Sequence, residues 1–166
     1  MCEQLSEEEK RVSPQVLYRG GVQLYNVVKL KREADNRTGA RENFGDFLDY
    51  FLLGRSIELF LKCFLRGNGL SLDELRRKIS HDLDKALRES RNLEIQRLVF
   101  LTEEEIASLA LLNRYYSKKR LEYPLVGMYK LPSFHLIFGI AEKLMNSLND
   151  FSEQRTKEFR EQNSLG

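Results

Sequence analysis

Between Phe44 and Leu65 the chain reads FGDFLDYFLLGRSIELFLKCFL, apolar on nearly every face of a helix. A helix that is hydrophobic all round is buried on all sides, so this stretch predicts a central helix with others packed around it. Set into it are Arg55, Glu58 and Lys62, spaced three and four residues apart and therefore on one stripe. Charges in such a place are tolerated only when they are paired or reach water. The stretch thus predicts a packed helical core with a polar cluster inside it.

The rest of the chain supplies the surrounding helices. Its 166 residues are the size of one domain that buries a core without staples. Residues 1–12, with Glu7-Glu8-Glu9 before Lys10-Arg11, read as a flexible, solvated leader, and 13–166 as a single helical domain. Ser13-Pro14 opens a helix whose buried stripe is read as Leu17, Gly21, Leu24 and Val28, widened by Val16, Val27 and Leu30. Gly20-Gly21 within it predicts a close helix crossing. The polar run from Glu33 to Glu42 reads as a short basic loop.

After the central helix, Arg66-Gly67-Asn68-Gly69 is a stop signal, and Ser71-Leu72-Asp73-Glu74 is a capping box opening a short helix to about Ile79. Ser80 or His81 is the expected cap of the next helix, with Asp82 and Asp84 in its first turn. Leu83, Leu87, Ile95 and Leu98 continue the buried face. Thr102 with Glu105 is a second capping box, before the stripe Ile106, Leu109, Leu112 and Tyr116. Tyr123, Val126, Met128 and Tyr129 fall in a loop expected to pack on the bundle. Ser133 caps a last long helix, regular from Phe134 to Phe151 and expected to fray or project beyond it. No strand pattern is present, so the fold class is all-α: a few long helices with short connecting ones.

Chemistry is bounded by what is missing. A formal charge of +2 does not by itself argue for nucleic acid or membrane. No apolar run approaches membrane-spanning length and no secretory h-region follows Met1, which points to the cytoplasm. Cys63 reads as a buried free thiol and Cys2 as part of the tail. With His81 and His135 the only histidines and no Cys-rich spacing, neither a metal site nor a cofactor is expected. What remains is a polar set: Arg55, Glu58, Lys62, His81, Asp82, Tyr115, Tyr116, Arg120 and Tyr123. Glu58 and Lys62 read as an ion pair fixing helix packing, or else as an acid–base pair lining a cleft. His81 reads as a helix-start residue or a proton shuttle, His135 as structural. Lys118-Lys119-Arg120 suits either a helix C-terminus or phosphate contacts.

Glu58-Leu59-x-Leu61-Lys62, Gly69, His81-Asp82-Leu83, Leu112-Asn113-x-x-Tyr116 and Arg120-x-x-Tyr123-Pro124 occur in that order. The layout resembles the HEPN-like helical proteins of bacteria, from about Ser13 to the final helix. The resemblance implies a helical bundle, often dimeric, found among metal-independent RNases and nucleotide-binding partners in toxin–antitoxin and defence systems. RNase members carry an arginine and, a few residues later, a histidine near the start of a late helix, acting on the ribose hydroxyl and the scissile phosphate. Here the histidine at a late helix start, His135, has Arg120 as its nearest preceding arginine, while Arg76 and His81 match the spacing but lie mid-fold.

The sequence therefore predicts a noncatalytic HEPN-like binding or regulatory module for a nucleotide, RNA or cognate protein partner, with a cleft at Glu58, Lys62, His81 and Arg120. The alternatives are a metal-independent RNase toxin using His81 and Arg76, and a purely structural interaction protein. A homodimer is expected, with the final helix contributing.

Overall fold

The computed structural model describes residues 7–39, 47–123 and 127–164, and among them every regular element is a helix. In chain order these are α1 (Glu7–Arg11), α2 (Pro14–Thr38), α3 (Phe47–Gly67), α4 (Leu72–Glu74, continued by a π-helical turn Leu75–Ile79), α5 (Leu83–Asn92), a 3₁₀ turn Ile95–Arg97, α6 (Glu103–Tyr116) and α7 (Phe134–Ser164). α3 is the axis of the molecule, with α2, α5, α6 and α7 packed against it. Leu53, Ile57, Phe60, Leu61 and Leu65 on it are fully buried, each such side chain contributing about 2 kcal/mol of apolar transfer. Phe44 to Asp46, at the start of the predicted central helix, lie outside the described residues.

The crossing of α2 and α3 occurs where the glycine pair predicts it. A Cβ on Gly21 would come within 2.8 Å of the Phe60 ring, so only glycine lets the ring lie on the backbone. The Ser56 hydroxyl donates to the Gly21 carbonyl at 2.7 Å across the same contact.

The buried stripe of α2 differs from the reading by one residue's rotation. Tyr18, Gly21, Tyr25 and Val28 face the core, whereas Val16, Val27 and Leu30 are exposed. The tyrosines win the inward positions because their hydroxyls have acceptors on α7: Tyr18 donates to the Met145 carbonyl at 2.9 Å and Tyr25 to Glu142 at 2.8 Å. A tyrosine so placed buries its ring without orphaning its polar end.

Other boundaries also move. The basic loop expected from Glu33 is helical through Thr38, ending on Gly39 in the left-handed conformation (φ 65°). Polar composition there marks a solvated helix end, with Lys31 and Asp35 paired at 3.1 Å one turn apart; Ala40 to Glu42 lie outside the described residues. Of the expected leader, Glu7–Arg11 is a helix docked on α3, because the nearly buried Arg66 bonds the carbonyls of Glu9 and Val12 and the Glu9 carboxylate. Residues 1–6 are outside the described set.

Beyond Phe151, α7 remains docked: Ser152 and Thr156 are buried, and the Thr156 hydroxyl accepts from Gln15 N–H at 2.9 Å. Small hydroxylated side chains there carry packing that an apolar-repeat reading overlooks. Leu98 is exposed, since the 3₁₀ turn ends the helical register before it. In the loop before α7, the Tyr129 ring packs edge-on against Phe47 and tilted against Tyr115, but Tyr123 and Met128 face solvent and Val126 is outside the described residues.

Candidate functional site

Glu58 lies at the middle of α3 and is wholly inaccessible to solvent. Its Oε1 accepts from Lys62 Nζ at 2.6 Å and from Arg55 Nη1 at 2.7 Å, one turn to either side on the same helix. Its Oε2 accepts a hydrogen bond from the Tyr116 hydroxyl of α6 and lies 3.2 Å from His81 Nδ1. Burial pushes this carboxyl up, but the Lys62 charge, the Lys62 and Tyr116 hydrogen bonds and the Arg55 charge outweigh it, so the group sits below the ordinary carboxylate value. Burial and the Glu58 charge push the Tyr116 phenol well up, so it is a neutral donor.

Tyr116 reaches Glu58 because Gly54 leaves room for its ring: a Cβ at that position would meet Tyr116 Cδ2 at 2.7 Å. The Thr102–Glu105 capping box sets the start of α6, as the sequence indicates. Asn113, one turn before Tyr116, fixes α6 against α5; its Oδ1 accepts from Leu83 N–H and its Nδ2 donates to Asp82 and Asp84.

The segment carrying His81 is built by strained backbone. The capping box at Ser71 starts α4 as expected, but the helix widens into the π turn, closed by Ser80 N–H to the Leu75 carbonyl at 3.0 Å. Ser80 then takes φ 53° and ψ −127°, a region an L-residue rarely occupies. That conformation aims the Ser80 carbonyl at Lys62 Nζ, 2.6 Å away, and delivers His81 to the cluster. The cap of α5 is neither Ser80 nor His81 but Asp82, whose carboxylate accepts from Lys85 N–H. A carboxylate is the better acceptor at this positive helix end, and the strain at Ser80 removes that residue from competition.

His81 Nδ1 also lies 3.2 Å from Arg55 Nη1, so it stands between a donor and an acceptor. With a proton on Nδ1 the ring donates to Glu58; without one it accepts from Arg55.

Of the sequence-predicted residues, the structure thus brings together Arg55, Glu58, Lys62, His81 and Tyr116. Asp82 works one step away, as cap and Asn113 acceptor. Arg120 and Tyr123 are exposed, with no side-chain bond to the cluster. Tyr115 instead accepts from Lys130 N–H through its hydroxyl, and His135 is exposed on α7. Lys118 and Lys119 are exposed at the end of α6. Arg76 is paired with Glu8 of α1 at the surface. Ser80, Gly54 and the acidic α1 were missed: nothing in their local sequence reports a long-range partner.

Beside the cluster lies a groove of about 460 Å³. Leu17, Leu59, Leu72 and Leu75 give it apolar walls. Its charged and ionisable lining is Arg55, Lys62, Arg76 and His81, with no carboxylate among the lining side chains. No group of residues suited to hold a metal ion occurs among the described residues. The Cys63 thiol is fully buried, and burial pushes it up to about 12, so it is an unreactive core group. No described helix is long and apolar enough to cross a membrane. Compared with family models, curated proteins and solved structures, the chain finds a match in none of the three.

Proposed function

We propose that this chain is a noncatalytic, HEPN-like binding or regulatory module whose groove takes an anionic ligand with an apolar part, of the nucleotide or single-stranded RNA class. The observation that carries the reading is the groove lining: Arg55, Lys62, Arg76 and His81 beside leucine walls. Such a surface suits phosphate on its cationic side and base or sugar on its apolar side. Catalysis is disfavoured because Glu58 is already engaged by Lys62, Arg55 and Tyr116, which leaves a held anion rather than a base with room to take a proton. On the resemblance, the setting is a toxin–antitoxin or defence pair with a cognate protein partner, and a small adjacent nucleotidyltransferase-like gene would support it.

A second reading, a metal-independent RNase, draws on the carboxylate beside His81. With its Nδ1 proton on Glu58, His81 would offer its other ring nitrogen to a ribose hydroxyl, with Arg76 at the phosphate. One preparation separates the two. Calorimetric titration with nucleotides and a short single-stranded RNA is expected to show salt-sensitive binding that Arg55→Gln weakens, with no cleavage in EDTA. EDTA-resistant cleavage lost in a folded His81→Ala would establish the RNase reading instead, and absence of any binding would remove the module reading in favour of a purely structural cluster.

A further inference from the structure

The lysine and the two arginines that line the groove are paired with carboxylates, and those carboxylates are held very differently. Arg55 and Lys62 share Glu58, which is wholly buried on their own helix and cannot leave them. Arg76 is paired with Glu8 of α1, its Nη1 and Nη2 donating to the two carboxylate oxygens. Both of these side chains are open to water, Arg76 at 62% and Glu8 at 60% exposure. The next residue, Glu9, points about 100° further round the helix. Its carboxylate lies 2.7 Å from Arg66 Nη2 and accepts from Leu72 N–H at 2.7 Å, and the Arg66 guanidinium bonds the Glu9 carbonyl at 2.9 Å. The Arg66 side chain is only 4% exposed and that of Glu9 14%. α1 is therefore clamped through Glu9, while Glu8 can swing on and off Arg76. The chain leaves α1 into Val12, which lines the groove with Leu72 and Arg76, so Glu8 stands at the groove's edge.

We infer that Glu8 is an internal counterion of the groove, seated on Arg76 until the terminal phosphate of a nucleotide replaces it. The inference rests on the ligand reading above and adds to it a built-in competitor. An incoming anion can join Arg55 and Lys62 beside Glu58 as a further acceptor, because a guanidinium carries five donors and an ammonium three. At Arg76 it must instead displace Glu8, whose carboxylate takes the two terminal nitrogens that a phosphate would use bidentately. An ion pair exposed on both sides is weak and screened by salt, so the exchange is easy. A phosphate monoester wins it, with close to two charges at neutral pH and three terminal oxygens. A carboxylate or an internal phosphodiester brings a single charge and only exchanges like for like. Glu8 thus tunes this end of the groove for a terminal phosphate.

Calorimetric titration of the full chain with ADP reads the exchange. Glu8→Gln is expected to tighten ADP binding about two- to fivefold, the scale of one exposed ion pair. Urea unfolding is expected to be unchanged, because Glu9 keeps α1 docked on Arg66. In an Arg76→Gln background Glu8→Gln is expected to change nothing, since the place of competition is gone. Equal ADP affinity in wild type and Glu8→Gln would overturn the inference and leave the groove reading standing. An undiminished gain in the Arg76→Gln background would do the same, by making Glu8 a remote charge only. A clear loss of stability in Glu8→Gln would overturn it by making Glu8 a strut of α1. No ADP binding by either form would also overturn it, and a short oligouridylate titrated into the same proteins then decides the groove reading by itself.

Discussion

α3 buries two carboxylates completely, Asp49 in its first turn and Glu58 at its centre, and the two are held in different ways. Asp49 is held by cations from another helix: Arg32 Nε at 2.8 Å and Lys31 Nζ at 3.4 Å, both on α2. Arg32 also lies over the Phe134 ring at 3.8 Å from its centroid, so one side chain ties α2, α3 and α7 together. Its place in the first turn gives Asp49 the favourable end of the helix dipole as well. Glu58 has no such help at mid-helix. Its cations come from its own helix, and its links to the rest of the fold are a neutral phenol and an imidazole. A carboxylate neutralised within its own helix can turn its neighbours toward a groove, as Glu58 does with Arg55, Lys62 and His81. Asp49 is a strut, and it is not part of that lining.

The comparison breaks most visibly at Glu58. Glu58→Ala leaves the Tyr116 hydroxyl buried without its acceptor and Lys62, only 12% exposed, beside an empty volume. A loss of about 3 kcal/mol or more in urea unfolding is expected, as for removal of one partner of a buried pair. The charge also has a pH signature. Because the folded carboxyl lies below its ordinary value of 4.5, its stabilisation is fully present above that value and is lost as pH falls through the lower folded one. Glu58→Gln is therefore expected to flatten the acid limb of a melting-temperature profile below about pH 4.5. An unaltered acid limb would show that Glu58 is not held ionised.

Gly54→Ala attacks the same cluster without touching a charge. The added methyl displaces the Tyr116 ring, at a cost of about 2 kcal/mol for overpacking. The cost is expected to be smaller in a Tyr116→Phe background, where the hydrogen bond to Glu58 is already gone. Equal cost in both backgrounds would mean that the ring's position and the hydroxyl's bond are independent.

Asp49→Ala is expected to cost less, about 1–2 kcal/mol, although the carboxylate is equally buried. Lys31 and Arg32 are 32% and 19% exposed, so each can move its charge toward water once Asp49 is gone. An effect as large as that of Glu58→Ala would show that neighbouring charge, not the neutral buried partners, sets the penalty.

What was legible in the sequence follows the same division. The central helix, both capping boxes, the Gly20-Gly21 crossing and the Arg55–Glu58–Lys62 stripe are local patterns, set by spacing along one helix, and the structure keeps them. Tertiary geometry decided the rest. Tyr18 and Tyr25 displaced the aliphatic stripe of α2 because acceptors on α7 awaited their hydroxyls. Arg66, a residue in a helix stop, became the clamp for α1 because Glu9 is folded back beside it. At the site, Tyr116 and His81 join Glu58 through Gly54 and through the backbone of Ser80, features that composition and periodicity do not encode. Arg120 and Tyr123 fell near one another in motif order, yet stay outside the cluster, since order along the chain does not fix distance across the bundle.

His81 gives the smallest expected effect on stability and the sharpest view of how Glu58 differs from Asp49. The imidazole side chain is 48% exposed, and Glu58 keeps Lys62, Arg55 and Tyr116 without it. His81→Ala is therefore expected to lower stability by only about 0.5 kcal/mol, in the range of a solvent-screened polar contact. Ligand binding should respond much more, since His81 lines the groove and its Nδ1 reports on both Arg55 and Glu58. The paired measurement is urea unfolding alongside titration with nucleotide for the wild type and His81→Ala. Weakened binding at nearly unchanged stability would make the Glu58 cluster a support for a binding surface. A large stability loss with unchanged binding would place His81 with Arg32, as one more strut between helices, and the two buried carboxylates would then be alike in purpose as well as in burial.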